Sequence, residues 1–264
     1  MTTKEQLLLL LFCLSRLLRG GKNMEKKILP AGDAALVVEF GREISDELNE
    51  QVHLLAGAMK RLSIHGVREV LPTFRSLMVC YDPGVISFAK LKKKIEHIKL
   101  DGKMAGTEMD ETLLVPCCYG NEFGPDLADM SDMLGLSQDE IIRLHSTPDY
   151  KIYMLGFLPG FVYLGGLDER IHAKRLDSPR TAIPKGSVGI GGSQTGVYPI
   201  ASPGGWRLIG STPLEFYNPL RKEPILCKAG ERLRFVPIDQ KEYELIKKDV
   251  ENGTYHPEYQ KKMA

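Results

Sequence analysis

Gly156-Phe-Leu-Pro-Gly-Phe-Val-Tyr-Leu-Gly-Gly166, with Pro184-Lys-Gly-Ser-Val-Gly-Ile-Gly-Gly-Ser-Gln-Thr-Gly196 and Ser202-Pro-Gly-Gly-Trp206 after it, decides how the second half of this chain folds. Residues 156–210 hold 12 of the chain's 26 glycines and five prolines, a punctuation that long helices cannot survive. Phe157, Phe161, Tyr163, Tyr198 and Trp206 are interleaved with those glycines, so large rings can anchor the loops. The stretch reads as a small antiparallel barrel or sandwich with ordered loops on one rim. Ahead of it, Ser137-x-x-Glu140 is a capping box opening a helix through Leu144, and residues 150–154 are a strand. Behind it, residues 231–237 add a strand and 241–250 a helix.

The first half has another texture. Ala35-Leu-Val-Val-Glu-Phe40 is a short, β-rich strand closed by Gly41. Ser45 is an N-cap, Asp46 and Glu47 suit the positive helix end, and Ile44, Leu48, Val52, Leu55, Met59 and Leu62 form one apolar stripe. Residues 67–71 and 76–81 are strands, and Phe88, Leu91, Ile95 and Ile98 mark a helix whose other face is lysine-rich. The order is β-α-β-β-α, and a closing strand at 113–117 would complete a ferredoxin-like sandwich. The polar residues 101–111 are the linker into the rest.

Composition bounds the function. The chain has 264 residues, 43% hydrophobic side chains, and 35 basic against 34 acidic groups, which describes an ordinary globular protein of one or two domains. A net charge of +1 argues against a large nucleic-acid surface. Five cysteines without CxxC or zinc-like spacing exclude a disulfide scaffold and a zinc module, so no metal site is expected. The apolar run at residues 7–14 is far short of the roughly 20 residues that span a bilayer. Its flanks do not fit a secretory signal, since Glu5 offsets Lys4 and no small-x-small site precedes Arg19-Gly-Gly-Lys-Asn23. We read residues 1–23 as an extension upstream of a translation start at Met24, because Arg19-Gly-Gly-Lys22 can be encoded by purine-rich ribosome-binding triplets. The expected organisation is 1–23 extension, 24–108 first domain and 109–264 second domain, in a cytoplasmic protein.

Single residues carry less. The 156–166 stretch suits a loop close to a ligand, but on its own a plain structural turn accounts for it better. Pro184 to Gly196 could line an anion with successive N–H groups, yet it lacks the Walker order, the dinucleotide glycines and a nucleophile elbow. Arg180, stiffened by Pro179 and Pro184, could clamp a carboxylate or phosphate and equally could be a surface arginine. Trp206 is a turn anchor first and a stacking wall second. His145, one of six histidines, could serve as acid or base, though a partner for the helix C-terminus is the plainer reading. Nothing marks Cys117 or Cys118 as a nucleophile. Asn252-Gly-Thr254 fits a glycosylation sequon, but in a cytoplasmic protein it is better read as the glycine turn that ends the last helix.

Together, Gly156-Phe-Leu-Pro-Gly-Phe-x-Tyr-Leu-Gly-Gly-Leu-Asp168, Pro179-Arg-Thr-x-Ile-Pro-x-Gly-Ser-Val-Gly-Ile190, Gln194-Thr-Gly-Val-Tyr-Pro199 and Ser202-Pro-Gly-Gly-Trp-x-Leu-Ile-Gly-x-Thr-Pro213 resemble the family of 5-oxoprolinase B subunits. That family also holds Kip-type histidine-kinase inhibitors and proteins called allophanate hydrolase subunit 1. The likeness begins near Gly32 and runs to Pro237, through Phe74-Arg-Ser-Leu and Val115-Pro-x-Cys-Tyr-Gly.

The resemblance implies an α+β protein, a ferredoxin-like N-terminal domain joined to a cyclophilin-like antiparallel β-barrel. It implies an assembly with subunits A and C that opens 5-oxoproline to glutamate with ATP hydrolysis, without nucleic-acid or membrane partners. The alternatives within the family are a sensor-kinase inhibitor and a subunit linked to allophanate or urea metabolism. By position, Phe157, Pro159, Gly160, Phe161 and Tyr163 would wall a rim pocket. Arg180, Ser187, Gln194, Thr195 and Tyr198 would be its polar members, with Ser202 and Trp206 closing it. Arg180 would clamp a carboxylate or phosphate, Gln194 and Thr195 would donate hydrogen bonds, and His145 would be the acid/base group. Lys185, where the family commonly has Ala, would add positive charge beside the pocket.

Overall fold

In the computed structural model of the protein, residues 26–100 and 111–261 are described. The expected extension at 1–23 and the boundary at 108 lie outside them.

The first unit is a four-stranded antiparallel sheet in the order β1-β2-β4-β3, with strands β1 (Lys27–Pro30), β2 (Ala35–Glu39), β3 (Val67–Pro72) and β4 (Ser76–Tyr81). Its core joins Leu36, Val38, Leu77 and Val79, all fully buried, to helices α1 (Asp46–Leu62) and α2 (Phe88–Glu96). Alternate strand residues and helix residues at three- and four-residue steps supply the two apolar faces. Ser45 caps α1, its hydroxyl accepting from the Leu48 N–H at 3.3 Å. The expected closing strand is a correction. Residues 113–117 belong to the barrel, and the edge place beside β2 is taken by β1 through the hairpin at 31–34.

The second unit is a barrel closed by β5 (Glu111–Tyr119), β6 (Tyr150–Leu155), β7 (Val162–Gly165), β9 (Ser187–Gly191), β10 (Gln194–Val197), β12 (Arg207–Ser211) and β13 (Arg232–Pro237), with β12 pairing back to β5. It is not wholly antiparallel as expected, because β13 runs parallel to β5. β14 (Glu258–Lys261) adds to β5 outside the closure, and β8 (Arg180–Ile183) with β11 (Ser202–Gly204) forms a separate ribbon. Helices α3 (Leu127–Leu134) and α4 (Gln138–Ser146) pack Leu127, Met130, Ile141 and Leu144 into the barrel core, and α5 (Gln240–Glu251) lies outside. Ser137 caps α4 at 3.2 Å, but the capping box is half made: Glu140 turns to Arg143 instead of back to the cap. No described helix is long and apolar enough to cross a membrane.

One face of α1 latches the two units. The Asn49 side-chain amide, fully buried, shares its two N–H groups among the carbonyls of Thr73, Phe74 and Tyr153, which lie at 3.2 to 3.3 Å. His53 Nε2–H donates to the same Tyr153 carbonyl at 3.1 Å, and the Tyr153 hydroxyl donates to Asp46 at 2.7 Å. The doubly used carbonyl lies at the bulge between Ile152 and Met154 of β6.

Candidate functional site

The β6–β7 connection turns at Phe157, whose φ is 67°, and Gly160, whose φ is 81°. A Cβ at Gly160 would lie 2.8 Å from the Phe216 carbonyl, so only glycine lets the loop sit down there. That turn exposes Phe157, 62% accessible, and buries Phe161. Phe161 becomes the hub of a ring cluster, with centroids 4.8 Å from Tyr163, 5.1 Å from Tyr198, 5.4 Å from Trp206 and 5.6 Å from Phe157. The pairs are tilted or edge-to-face, as ring quadrupoles prefer. Phe74 of the first unit joins edge-on to Tyr163 at 5.3 Å. Gly191 is required beside the cluster, since a Cβ there would come within 2.4 Å of the indole. The pocket walls expected of these residues are therefore corrected in part: Phe161, Tyr198 and Trp206 pack solidly with Ile183 and Leu208, and only Phe157, Pro159 and Tyr163 look outward.

The polar border of the cluster is made of arginines. Arg180, opposite Gly204 in the β8–β11 ribbon, donates from Nη2 to Asp126 Oδ1 at 2.6 Å. Asp126 is nearly buried, and its other oxygen accepts the Leu208 N–H at 2.6 Å. Arg180 Nη1 and the Ser202 hydroxyl are buried without a hydrogen-bond partner. The carbon of the Arg175 guanidinium lies over Trp206 at 6.0 Å, a cation–π contact. Burial raises the Tyr163 and Tyr198 phenols above their usual range, and the positive charge of Arg175 opposes this at both. The face thus carries the exposed Arg175 guanidinium, the Arg180 guanidinium paired with Asp126, a half-buried phenol and an exposed ring.

Other expected members lie elsewhere. His145 is corrected: it is fully buried in the barrel core and stacked on Phe235 at 4.6 Å. Thr195, also fully buried, donates its hydroxyl to the Gly189 carbonyl at 3.0 Å, so it must accept from His145 Nε2–H at 2.8 Å. Nδ1 then accepts from the Tyr119 hydroxyl at 2.7 Å. Both ring nitrogens are spoken for inside the protein, and burial pushes the pKa down to about 3. A neutral, enclosed ring of this kind fixes the barrel and cannot exchange protons with a substrate; Thr195 has no hydrogen left to donate. Ser187 lines a separate hollow of about 450 Å³, together with Ser211 and Tyr243. There Lys185 pairs with Glu215, which cancels the charge expected of it. Gln194 is half-buried opposite Gly191. The amides of 187–191 and 194–197 serve β-ladders with each other and with β7 and β12, so they do not form an anion nest.

The sequence alone does not single out Arg175 or Asp126, and it marks Phe74 and Tyr119 only as members of the Phe74-Arg-Ser-Leu and Val115-Pro-x-Cys-Tyr-Gly motifs. Arg175 has a weak signal in the basic Lys174-Arg175 pair, and Asp126 in the Gly-Pro-Asp that opens α3. The other two make sense only once distant segments meet.

Comparison with known proteins agrees with this architecture. Residues 26–227 match the family described as carboxyltransferase domain, subdomain C and D. The chain is 53% identical over 207 residues to the B subunit of 5-oxoprolinase from Escherichia coli O157:H7, covering 78% of this chain and 93% of that protein. It is 42% identical over 229 residues to the B subunit of 5-oxoprolinase from Bacillus subtilis, covering 83% and 95%. The crystal structure of Kluyveromyces lactis urea carboxylase shares the fold, with a TM-score of 0.72 at 20% identity, over 89% of this chain and 24% of that one. On the match over 26–227 and the two close relatives, the chain belongs to the carboxyltransferase subdomain C and D family.

Proposed function

We propose that this protein is the B subunit of a cytoplasmic, ATP-dependent 5-oxoprolinase assembly, built from domains at 24–108 and 109–264 and working with companion subunits A and C. The observation that carries this is identity of 53% and 42% to proteins of that name over 93% and 95% of their lengths. A five-membered lactam is a poor electrophile. Transfer of the ATP γ-phosphoryl group to the amide oxygen creates a leaving group and an activated carbon. ADP leaves at that transfer, water attacks the activated carbon, the ring C–N bond opens to give γ-glutamyl phosphate, and a second water cleaves this to glutamate and phosphate. Positioning and charge stabilisation supply most of such catalysis.

In this reading the ring-and-arginine face meets the substrate. Arg175 and Arg180 hold the carboxylate, Tyr163 and Phe157 cover the ring, and Gln194 contributes a donor from the edge. Phe161, Tyr198, Ser202 and Trp206 position this surface from beneath, and His145 and Thr195 support it from the core. The test is 5-oxoproline-dependent ADP release by the co-expressed subunits. Arg180→Ala in the full assembly is expected to abolish most of it, and unchanged activity would remove Arg180 from the site.

A urea- or allophanate-linked role is a second reading, favoured by the shared fold of urea carboxylase, and it predicts urea-dependent turnover with a biotin carboxylase partner. A Kip-type kinase inhibitor would instead be indifferent to Arg180→Ala.

A further inference from the structure

A large hollow lies away from the ring cluster, between the C-terminal end of α1 and the exposed side of α2. It measures about 1180 Å³. Arg61, Lys90, Lys93, Lys94 and Lys99 line it with two histidines, and the lining contains no Asp, no Glu and no Phe, Tyr or Trp. None of these five cations is in an ion pair among the described residues. On a chain of net charge +1 this is segregation of charge, not excess. Lys90, Lys93 and Lys94 stand three and four residues apart on one helix, a spacing at which like charges disfavour the helix. The first turn of α2 holds no acidic residue to offset them.

Between the cations the surface is apolar. Leu62 is 59% and Val85 50% exposed, beside Ile64 and Ile86. The cationic lining continues past Arg61 and Lys99 into a neighbouring cleft of about 770 Å³ that adds Lys60 and Lys228.

We propose that this groove receives an acidic amphipathic segment of a companion subunit, its apolar side on Leu62 and Val85 and its carboxylates on the surrounding lysines. Charge complementarity sets the sign of the partner, and the apolar floor sets its amphipathic character. The volume exceeds the roughly 300–1,000 Å³ of small-molecule sites. A single-stranded nucleic acid would be expected to use large stacking rings, and the lining has no Phe, Tyr or Trp.

The identity of the partner rests on the functional reading above; the chemistry of the groove does not. The test places a photo-crosslinking benzoylphenylalanine at Leu62 or Val85 of the full chain, co-expressed with the companion subunits. The expected result is a cross-link to an acidic segment of a companion. The triple variant Lys90→Glu, Lys93→Glu, Lys94→Glu should lose it, binding at least ~10-fold more weakly, with unchanged thermal unfolding of the free chain. Arg180→Ala should keep the cross-link. The proposal is overturned by a cross-link to residues 101–110 of the same chain or to a second copy, by one that survives the charge reversal, or by displacement of the companion with a single-stranded oligonucleotide. A retained cross-link in an assembly that shows no 5-oxoproline-dependent ADP release would overturn the functional reading and leave the docking groove standing.

Discussion

Acid should unfold this protein through His145. The ring is fully buried, its Nε2–H donates to Thr195, its Nδ1 accepts from Tyr119, and burial holds its pKa down to about 3 against an ordinary 6.5. Between those two values the unfolded chain binds a proton that the native chain refuses. The native state therefore keeps its full stability above pH 6.5 and loses it progressively as pH falls toward 3. Each pH unit in that window is worth about 1.4 kcal/mol, so moving from pH 7 to pH 4.5 should remove about 3 kcal/mol on this account. His145→Gln isolates the effect, because glutamine keeps one donor and one acceptor but does not titrate. The variant should be about 1–2 kcal/mol less stable at pH 7, having lost the stacking on Phe235, and should then change less with acid. The assay is urea unfolding of both proteins at pH 7 and pH 4.5, compared as differences. His53, also lowered by burial, contributes equally to both and cancels. Parallel pH profiles for the two proteins, or a His145 ring that titrates near 6.5 by NMR, would refute the reasoning.

Three further outcomes are expected. Arg180→Ala leaves the nearly buried Asp126 carboxylate with only the Leu208 N–H, and should cost about 1–3 kcal/mol in denaturant unfolding; Arg180→Lys keeps the charge but not the fork geometry and should recover that only partly. Gly191→Ala drives a methyl group to 2.4 Å from the indole and should destabilise by about 1–3 kcal/mol, with a red shift in the emission of Trp206, the chain's single tryptophan. Asn49→Ala removes the amide whose two N–H groups join α1 to the Thr73 and Phe74 turn and to Tyr153, and should cost about 2–3 kcal/mol while raising amide exchange around both.

Much of the fold could be read from local pattern. The stripe from Leu48 to Met59, the caps at Ser45 and Ser137, and the strands beginning at Ala35, Val67 and Ser76 all follow from signals within a few residues of one another. Pairing could not. β1 is four residues ending in proline, and it is a strand only because β2 returns beside it. The segment at 111–119 has the right period for either sheet, and periodicity does not say which partners it will find. α3 lacks a side-chain cap because the Asp126 carboxylate is taken by Arg180 and Leu208, a tertiary use that erases a local signal. The candidate site divides the same way. Glycines and rings announce a crowded face, but neither their spacing nor their type distinguishes an enclosed hub such as Phe161 from an open ring such as Phe157. His145 shows the cost of reading a residue type without its burial.

The strand β5 has consequences for how the protein is made. It is the first strand of its barrel to leave the ribosome, yet its three ladder partners, β12, β13 and β14, are among the last, ending at Lys261. The sheet of the first unit pairs neighbours within residues 27–81 and can assemble while translation continues. β5 meanwhile waits as an apolar, unpaired edge through much of the remaining synthesis. That interval is when a nascent chain is most open to chaperones and to mispairing with another copy, and any message truncated before β12 would release a polypeptide with its aggregation-prone strand permanently bare.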